Sequence, residues 1–323
     1  MNLDAKDKRL LDLMYTNSRQ SFVQLGKKLH LSNTAVQRRL AQLLQQGIIF
    51  FPLANVSFAK LGLRSYRLYF KFDSLDKKTE EEVLRVFENH PRTLWGVICE
   101  GEYDAMCRIL AKDELEVERF ASLMIEHFGS KIVEKTIATT TYQVYFPWNK
   151  AFGTPRSPPL PPEALAHIEK TDSIDLIILR ELYGNSRISS VELSKKSNLT
   201  PDAVNYRIKM LQKKGLIQGF TAWFDAKKLG FNYYKFLIGF RSITPEKEKQ
   251  FLRFCAQNDN VVFLNKAIGS WDIEVDIIVR DNSELHDFTR EIKTKFGHII
   301  GRHSFISVVE ERMLNPLRNE GLQ

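Results

Sequence analysis

Apolar positions recur every three or four residues through 4–49, and the same spacing returns at 172–217. That period sets one side of each segment against a core and predicts short amphipathic helices. The polar punctuation agrees. "SFVQ" at 21–24 offers a capping box, with Ser21 as N-cap and Gln24 reaching back, and Ser189 with Glu192 repeats it. A third helix opens at Ser32 in one segment. In the other it opens at Thr200, followed by Pro201 at the favoured first helical position. Both third helices stop before a glycine, Gly47 or Gly215. A short β pair, "IIFFPLANV" or "LIQGFTAWF", is expected to follow each as a wing.

Beyond each helical segment the period shortens. "YYKFLIGF", "VVFLNKAI", "WDIEVDIIV" and "RHSFISVVE" read as strands, with helices over 245–258 and 283–296, the latter capped by Ser283. Strict alternation from Asp272 to Ile277 marks a strand with one wet face. The earlier half follows suit, with strands over 66–72, 94–100, 104–110 and 132–146 and helices over 79–89 and 115–128. The order βαββαβ is ferredoxin-like, an antiparallel sheet with helices on one face. The expected class is α+β, a winged helix-turn-helix followed by a ferredoxin-like domain, twice.

The two halves are copies. "LSNTAVQRRLAQLLQQGII" at 31–49 aligns without a gap on "LTPDAVNYRIKMLQKKGLI" at 199–217, an offset of 168. The same offset pairs "NSR" at 17–19 with 185–187, "KLG" at 60–62 with 228–230, and "GEYD" at 101–104 with "GSWD" at 269–272. A period this long means domain duplication rather than a solenoid. The expected domains are 1–58, 59–146, 170–224 and 225–315, joined by a linker at 147–169. The prolines of 146–170 (147, 155, 158, 159, 161 and 162) are more than half of all prolines in the chain, so the linker reads as stiff, extended and without a core of its own. A proline-rich docking site is the rival reading.

Charge sharpens the picture. The chain carries a net +8, and it is partitioned: +5 over 1–50 and +4 over 170–218, against −2 over 60–146 and zero over 225–311. Positive charge confined to the helical segments suits phosphate. Three cysteines, Cys99, Cys107 and Cys255, form no CxxC pair, so neither a disulfide framework nor a zinc site is supported, and buried reduced thiols are expected. No cofactor or catalytic motif is present, and no residue is assigned a catalytic or metal role. The charged start "MNLDAKDKRLL" has no apolar leader core, and no run approaches a membrane span, so a cytoplasmic protein is expected.

In the third helices Val36, Leu40 and Leu43 share one face, as do Val204, Ile208 and Leu211. These read as core. The opposite faces differ. Asn33, Thr34, Gln37 and Arg38 are candidate base-readers in the first helix; Asn205, Tyr206 and Lys209, with Asp202, are those in the second. Asp202 repels phosphate but could accept from a cytosine amino group. Arg39 and Arg207 hold equal positions beside the apolar stripe and read as phosphate or base contacts, with a plain surface role as the alternative.

From "LDAKDKRLLDLM" through "LQQGII", and more closely from "TDSIDLIILRELYG" through "FDAKKLG", the chain resembles the Lrp/AsnC family of transcription regulators. The βαββαβ units with "GEYD" and "GSWD" are similar to that family's effector domain. The resemblance implies double-stranded DNA as partner. It also implies a small effector, often an amino acid, bound between sheet domains near the turn residues Gly101, Asp104, Gly269 and Asp272. For those four a purely structural turn role is the alternative. Typical members carry one unit per chain and dimerise through their sheets; the tandem arrangement therefore implies an intramolecular pseudo-dimer, or a higher homo-oligomer. Rival readings are an Lrp-like decarboxylase of sirohaem-type tetrapyrroles, and a sensor that binds protein partners without DNA. None of the seven histidines falls on a histidine of the other copy.

Overall fold

The computed structural model describes residues 3–155, 157–164 and 166–318. Three helices open each half: α1 (Ala5–Thr16), α2 (Phe22–Leu29) and α3 (Asn33–Gln45), then α7 (Ser173–Gly184), α8 (Ser190–Ser197) and α9 (Pro201–Lys213) in the second. Their ends are set locally. Both expected capping boxes form, and Ser32 and Thr200 cap α3 and α9. His30 and Asn198, at equivalent places, turn the chain between second and third helix in the left-handed region at φ 53°. Val36, Leu40 and Leu43 are buried, as are Val204, Ile208 and Leu211, so the apolar stripes dock as expected.

The wings differ from expectation. One strand follows each third helix, β1 (Ile49–Val56) and β7 (Ile217–Phe224), and these pair with each other in antiparallel register about Leu53↔Thr221, which are equivalent positions. Each strand also completes the other half's helical core. Leu53 and Val56 pack with Ile178 and Leu182, while Ala222 and Phe224 pack with Leu10 and Leu43. The two-stranded ribbon is thus made between copies, because each strand's apolar face finds its core in the other copy.

Each half continues as expected: β2 (Arg64–Phe72), α4 (Lys77–Asn89), β3 (Thr93–Gly101), β4 (Ala105–Ala111), α5 (Glu114–Phe128) and β5 (Ile132–Tyr145), then β8 (Asn232–Phe240), α10 (Pro245–Gln257), β9 (Val261–Ile268), β10 (Ile273–Val279), α11 (Asn282–Phe296) and β11 (Ile300–Met313). The cap of α11 is Asp281, whose carboxylate accepts from Glu284 N, rather than Ser283. The strand order β2-β4-β3-β11-β8-β10-β9-β5 closes by pairing β5 with β2. The two seams between copies, β3 with β11 and β5 with β9, are equivalent. The halves therefore pair within one chain around an approximate two-fold axis, and closure removes the free sheet edges.

The alternating strand β10 has no wet face. All of Ile273–Val279 is buried: Ile273, Val275 and Ile277 face α10 and α11, and Glu274 and Asp276 point into the closed interior. Polar residues are tolerated there because they are paired. Arg67 Nε lies 2.9 Å from Glu274 Oε2, and Lys235 Nζ lies 2.5 Å from Asp276 Oδ1 and 3.4 Å from Glu274 Oε2. Tyr233 donates to Asp276 and Trp271 donates to Glu274. Burial opposes charge on Glu274, but Arg67 and Lys235 outweigh it and hold the carboxyl below its ordinary range.

The linker is also packed. Trp148, Ala151, Phe152 and Leu160 are buried against the first helical core, with α6 (Asn149–Phe152) beside α1 and β6 (Glu163–Ala164) paired to β5. Ser157 donates to Asp12, and Ala59 N donates to Glu163. The apolar residues set between the prolines supply the burial that an extended spacer would lack. Linker positions 156 and 165 lie outside the described residues. Cys99, Cys107 and Cys255 are buried free thiols. Among the described residues no helix is long and apolar enough to cross a membrane.

Candidate nucleic-acid interface

The third helices are anchored by matching ion pairs. Arg39 Nη1 lies 2.7 Å from both Asp4 and Asp7, the cap and first-turn carboxylates of α1. Arg207 does the same to Asp172 and Asp175 of α7, at 2.5 and 2.9 Å. A backbone hydrogen bond from Asp7 and the Arg39 guanidinium hold the Asp4 carboxyl low, despite some desolvation. At Asp172 the desolvation is the larger influence, yet Arg207 and the Asp175 amide outweigh it. Arg39 and Arg207, candidate phosphate or base contacts, are thus each tied to the first helix of their own module while staying partly exposed. A carboxylate pair waits for each guanidinium on the neighbouring helix, a pairing that spacing within α3 could not reveal.

The remaining candidates stay on the open face. Asn33, Thr34, Gln37 and Arg38 are exposed on α3, and Asp202, Asn205, Tyr206 and Lys209 on α9. Tyr206 is 64% exposed, far more than an aromatic ring with a packing role. Asn205 Oδ1 accepts from Ser190 Oγ at 2.6 Å, which orients the amide and leaves its nitrogen to donate. Lys27, Lys28, Lys195 and Lys196 are exposed at the ends of α2 and α8. Ser32 caps α3 through Ala35 N at 3.2 Å, and Thr200 caps α9 through Ala203 N at 3.2 Å.

The modules are clasped to each other by residues the sequence reading used only as repeat markers. Ser18 Oγ and Ser186 Oγ are 2.6 Å apart. Arg187 donates to Ser18 O and Gln20 O, at 2.6 and 2.8 Å, and Arg19 donates reciprocally to Ser186 O and Ile188 O. Burial lowers the pKa of both guanidiniums. The signal was the identical "NSR" in both copies.

The turn residues serve the barrel seams. Asp104 accepts from Phe72 N and Lys71 Nζ, and Asp272 from Phe240 N. Gly101, at φ 122°, passes so close to Phe305 O that a Cβ would sit 2.6 Å from it; Gly269, at φ 151°, stands likewise to Ile137 O at 2.8 Å. Both glycines let one copy's turn meet the other copy's last strand.

Two helix-turn-helix modules, clasped across an axis and carried on one closed ferredoxin-like barrel, define a one-chain twin of a helix-turn-helix regulator. The model for the AsnC-type helix-turn-helix domain matches residues 3–44, and that for winged helix-turn-helix DNA-binding matches 171–218. An HTH-type transcriptional regulator of Pyrococcus furiosus is 31% identical over 142 residues, covering 43% of this chain and 91% of that protein. The HTH-type transcriptional regulator Ptr1 of Methanocaldococcus jannaschii is 35% identical over 120 residues, 37% of this chain and 80% of that one. The crystal structure of the siroheme decarboxylase NirDL with an iron-uroporphyrin III analogue superposes with a TM-score of 0.66 over 99% of this chain and 96% of that one, at 12% identity. That last likeness is one of fold alone, and it extends across both halves. The chain belongs to the Lrp/AsnC family of HTH-type transcriptional regulators.

Proposed function

We propose that the protein binds double-stranded DNA through α3 and α9 and reads a different base sequence with each. The observation that carries this reading is a contrast. The tethers of the two helices are the same, Arg39 on Asp4 and Asp7 and Arg207 on Asp172 and Asp175, while their exposed stripes differ. A homodimer must present one stripe twice; this chain presents two. In this reading 1–58 and 170–224 are the DNA-binding domains, and 59–146 and 225–315 are the effector and pairing domains of an intramolecular pseudo-dimer. Effector control acts at the seams beside Gly101, Asp104, Gly269 and Asp272. Arg38 and Asn205 suit guanine and adenine edges respectively, and Asp202 suits a cytosine amino group.

Selection from randomised duplex DNA tests the reading. Arg38→Ala should relax preference in one half-site and Asn205→Ala in the other, each costing about 1–3 kcal/mol. Affinity should also fall steeply with salt. Relaxation of the same half-site by both variants, or a flat salt response, contradicts the proposal. The fold shared with the decarboxylase supports a second reading, which a titration with sirohaem tests; a saturable shift of its absorption together with loss of carboxyl groups would favour the enzyme.

A further inference from the structure

The β1–β7 ribbon lies over one end of the barrel, and a cavity of about 60 Å³ remains between them. Three of the four tryptophans in the chain, Trp95, Trp148 and Trp223, line it. The lining also pairs equivalent positions of the two halves: Trp95 with Phe263, Arg108 with Asp276, and Tyr145 with Met313. The cavity therefore straddles the approximate two-fold axis, at a place where the halves have diverged in charge.

We infer that this cavity is a binding site for one small monocarboxylate, held by Arg108. The inference stands whether or not α3 and α9 bind DNA. Arg108 is 3% exposed. Its Nε donates to Ser65 Oγ at 2.8 Å and its Nη1 to Tyr145 OH at 2.7 Å, both neutral acceptors. The nearest ion-pair partner, Glu163 Oε2, stands 3.9 Å from Nη2, beyond hydrogen-bonding distance. A buried guanidinium with N–H donors to spare is a receptor for a carboxylate, which offers acceptors only and matches the planar fork. The Trp223 indole N–H is turned to the buried Tyr183 hydroxyl, so the guanidinium is the donor left for a ligand. The acceptors of the cavity are by contrast engaged: Asp276 by Lys235 and Tyr233, and Glu311 by Trp95 Nε1 at 2.9 Å. Spare guanidinium donors beside engaged acceptors select an anion over a cation.

Size and walls define the rest of the ligand. At 60 Å³ the cavity holds about four to six water-sized groups, the size of a short-chain or 2-oxo monocarboxylate. The rings of Tyr145, Trp223 and Phe263, with centroids 4.4 and 4.5 Å from Tyr145 to the other two, give its apolar end a dry wall. An aspartate stands where the first copy has its arginine, so there is one site per chain and not two.

The full chain should be titrated with propionate, pyruvate and the neutral propionamide, followed by tryptophan fluorescence and by calorimetry. Both acids should give a saturable response at one ligand per chain, and propionamide should bind about tenfold more weakly or worse, since a charge-assisted pair is roughly twice as strong as a neutral one. Arg108→Gln should abolish the response. Where that variant fails to fold, Met313→Phe decides: it leaves the guanidinium in place, adds bulk to the lining, and should weaken the acids by about tenfold or more, the factor a lost 1.4 kcal/mol gives. No saturable response to either acid at tens of millimolar overturns the site. So does equal affinity for propionamide, or undiminished binding in a folded Met313→Phe.

Discussion

Ser18 and Ser186, one repeat apart in the chain, place their hydroxyl oxygens 2.6 Å from each other. Equivalent atoms of two related units can meet only on the axis that relates them. The contact therefore locates that axis between the helical modules, and the arginines of the same "NSR" triplets close around it. Removing one hydroxyl leaves the other buried and unpaired. Ser18→Ala should cost about 1–3 kcal/mol, and Ser18→Ala with Ser186→Ala less than the sum of the singles. Urea denaturation of the four species of the cycle measures this; simple additivity would contradict the direct bond.

Glu274 is the hub of the buried charge cluster. Glu274→Gln leaves Arg67 without its carboxylate and should destabilise by about 3–5 kcal/mol, whereas Arg67→Met with Glu274→Met should recover most of the loss. The depressed carboxyl also sets a pH dependence. Its contribution is fully present above the ordinary value of 4.5 and is lost as pH falls through the lower folded value. Wild type should therefore lose stability on acidification more steeply than the double methionine variant, in parallel urea titrations across that window.

Glu311 behaves in the opposite sense. Burial pushes its carboxyl up to about 8, even though Trp95 donates to it. The unfolded chain ionises near 4.5, so between these values the unfolded state has released a proton that the folded state keeps. Rising pH therefore favours unfolding across that window. Glu311→Gln, which retains an acceptor for Trp95, should match wild type below the lower value and melt at progressively higher temperature than wild type up to about pH 8. Melting curves at four or five pH values decide it; a difference constant with pH is the adverse result.

The linker offers a test of pairing within the chain. Proteolytic or engineered cleavage near Pro158 should leave the halves in one particle on sizing at micromolar concentration, because two barrel seams and the β1–β7 ribbon join them. Melting should then depend on protein concentration, as it does not for an intact chain. Separation of the halves at that concentration contradicts the exchange of strands.

What was legible in the sequence is what short-range chemistry decides. Ser21, Ser189, Ser32 and Thr200 announce helix starts because their acceptors lie three residues on, and Gly47 and Gly215 announce stops because they take positive φ. Val36, Leu40 and Leu43 show their face by period alone. Apart from the cap of α11, which is Asp281 and not Ser283, what went unread depends on a partner remote in sequence. Glu274 and Asp276 alternate as solvent-facing residues would, and it takes Arg67 of the other half, Lys235 and the enclosing strands to turn that face inward. Arg39 is a candidate DNA contact by sequence, and its pairing with Asp4 and Asp7 of α1 is visible only in the fold. The β1 strand looks like half of a local hairpin, yet its mate lies in the other copy.

Arg67 and Glu274 also bear on how such a chain can change over generations. In a protein made of two identical subunits, every substitution appears on both sides of the axis at once, so a salt bridge invented at the centre must be tolerated twice. Here the position equivalent to Glu274 is Met106 and the position equivalent to Asp276 is Arg108. Each half mutates against a fixed partner inherited on the same gene, and the interior now holds two carboxylates beside Lys235 on one side and only arginines on the other. The duplication freed the middle of the molecule from having to be its own mirror, and a pair of complementary halves tolerates exchange with copies of itself less well the longer that freedom is used.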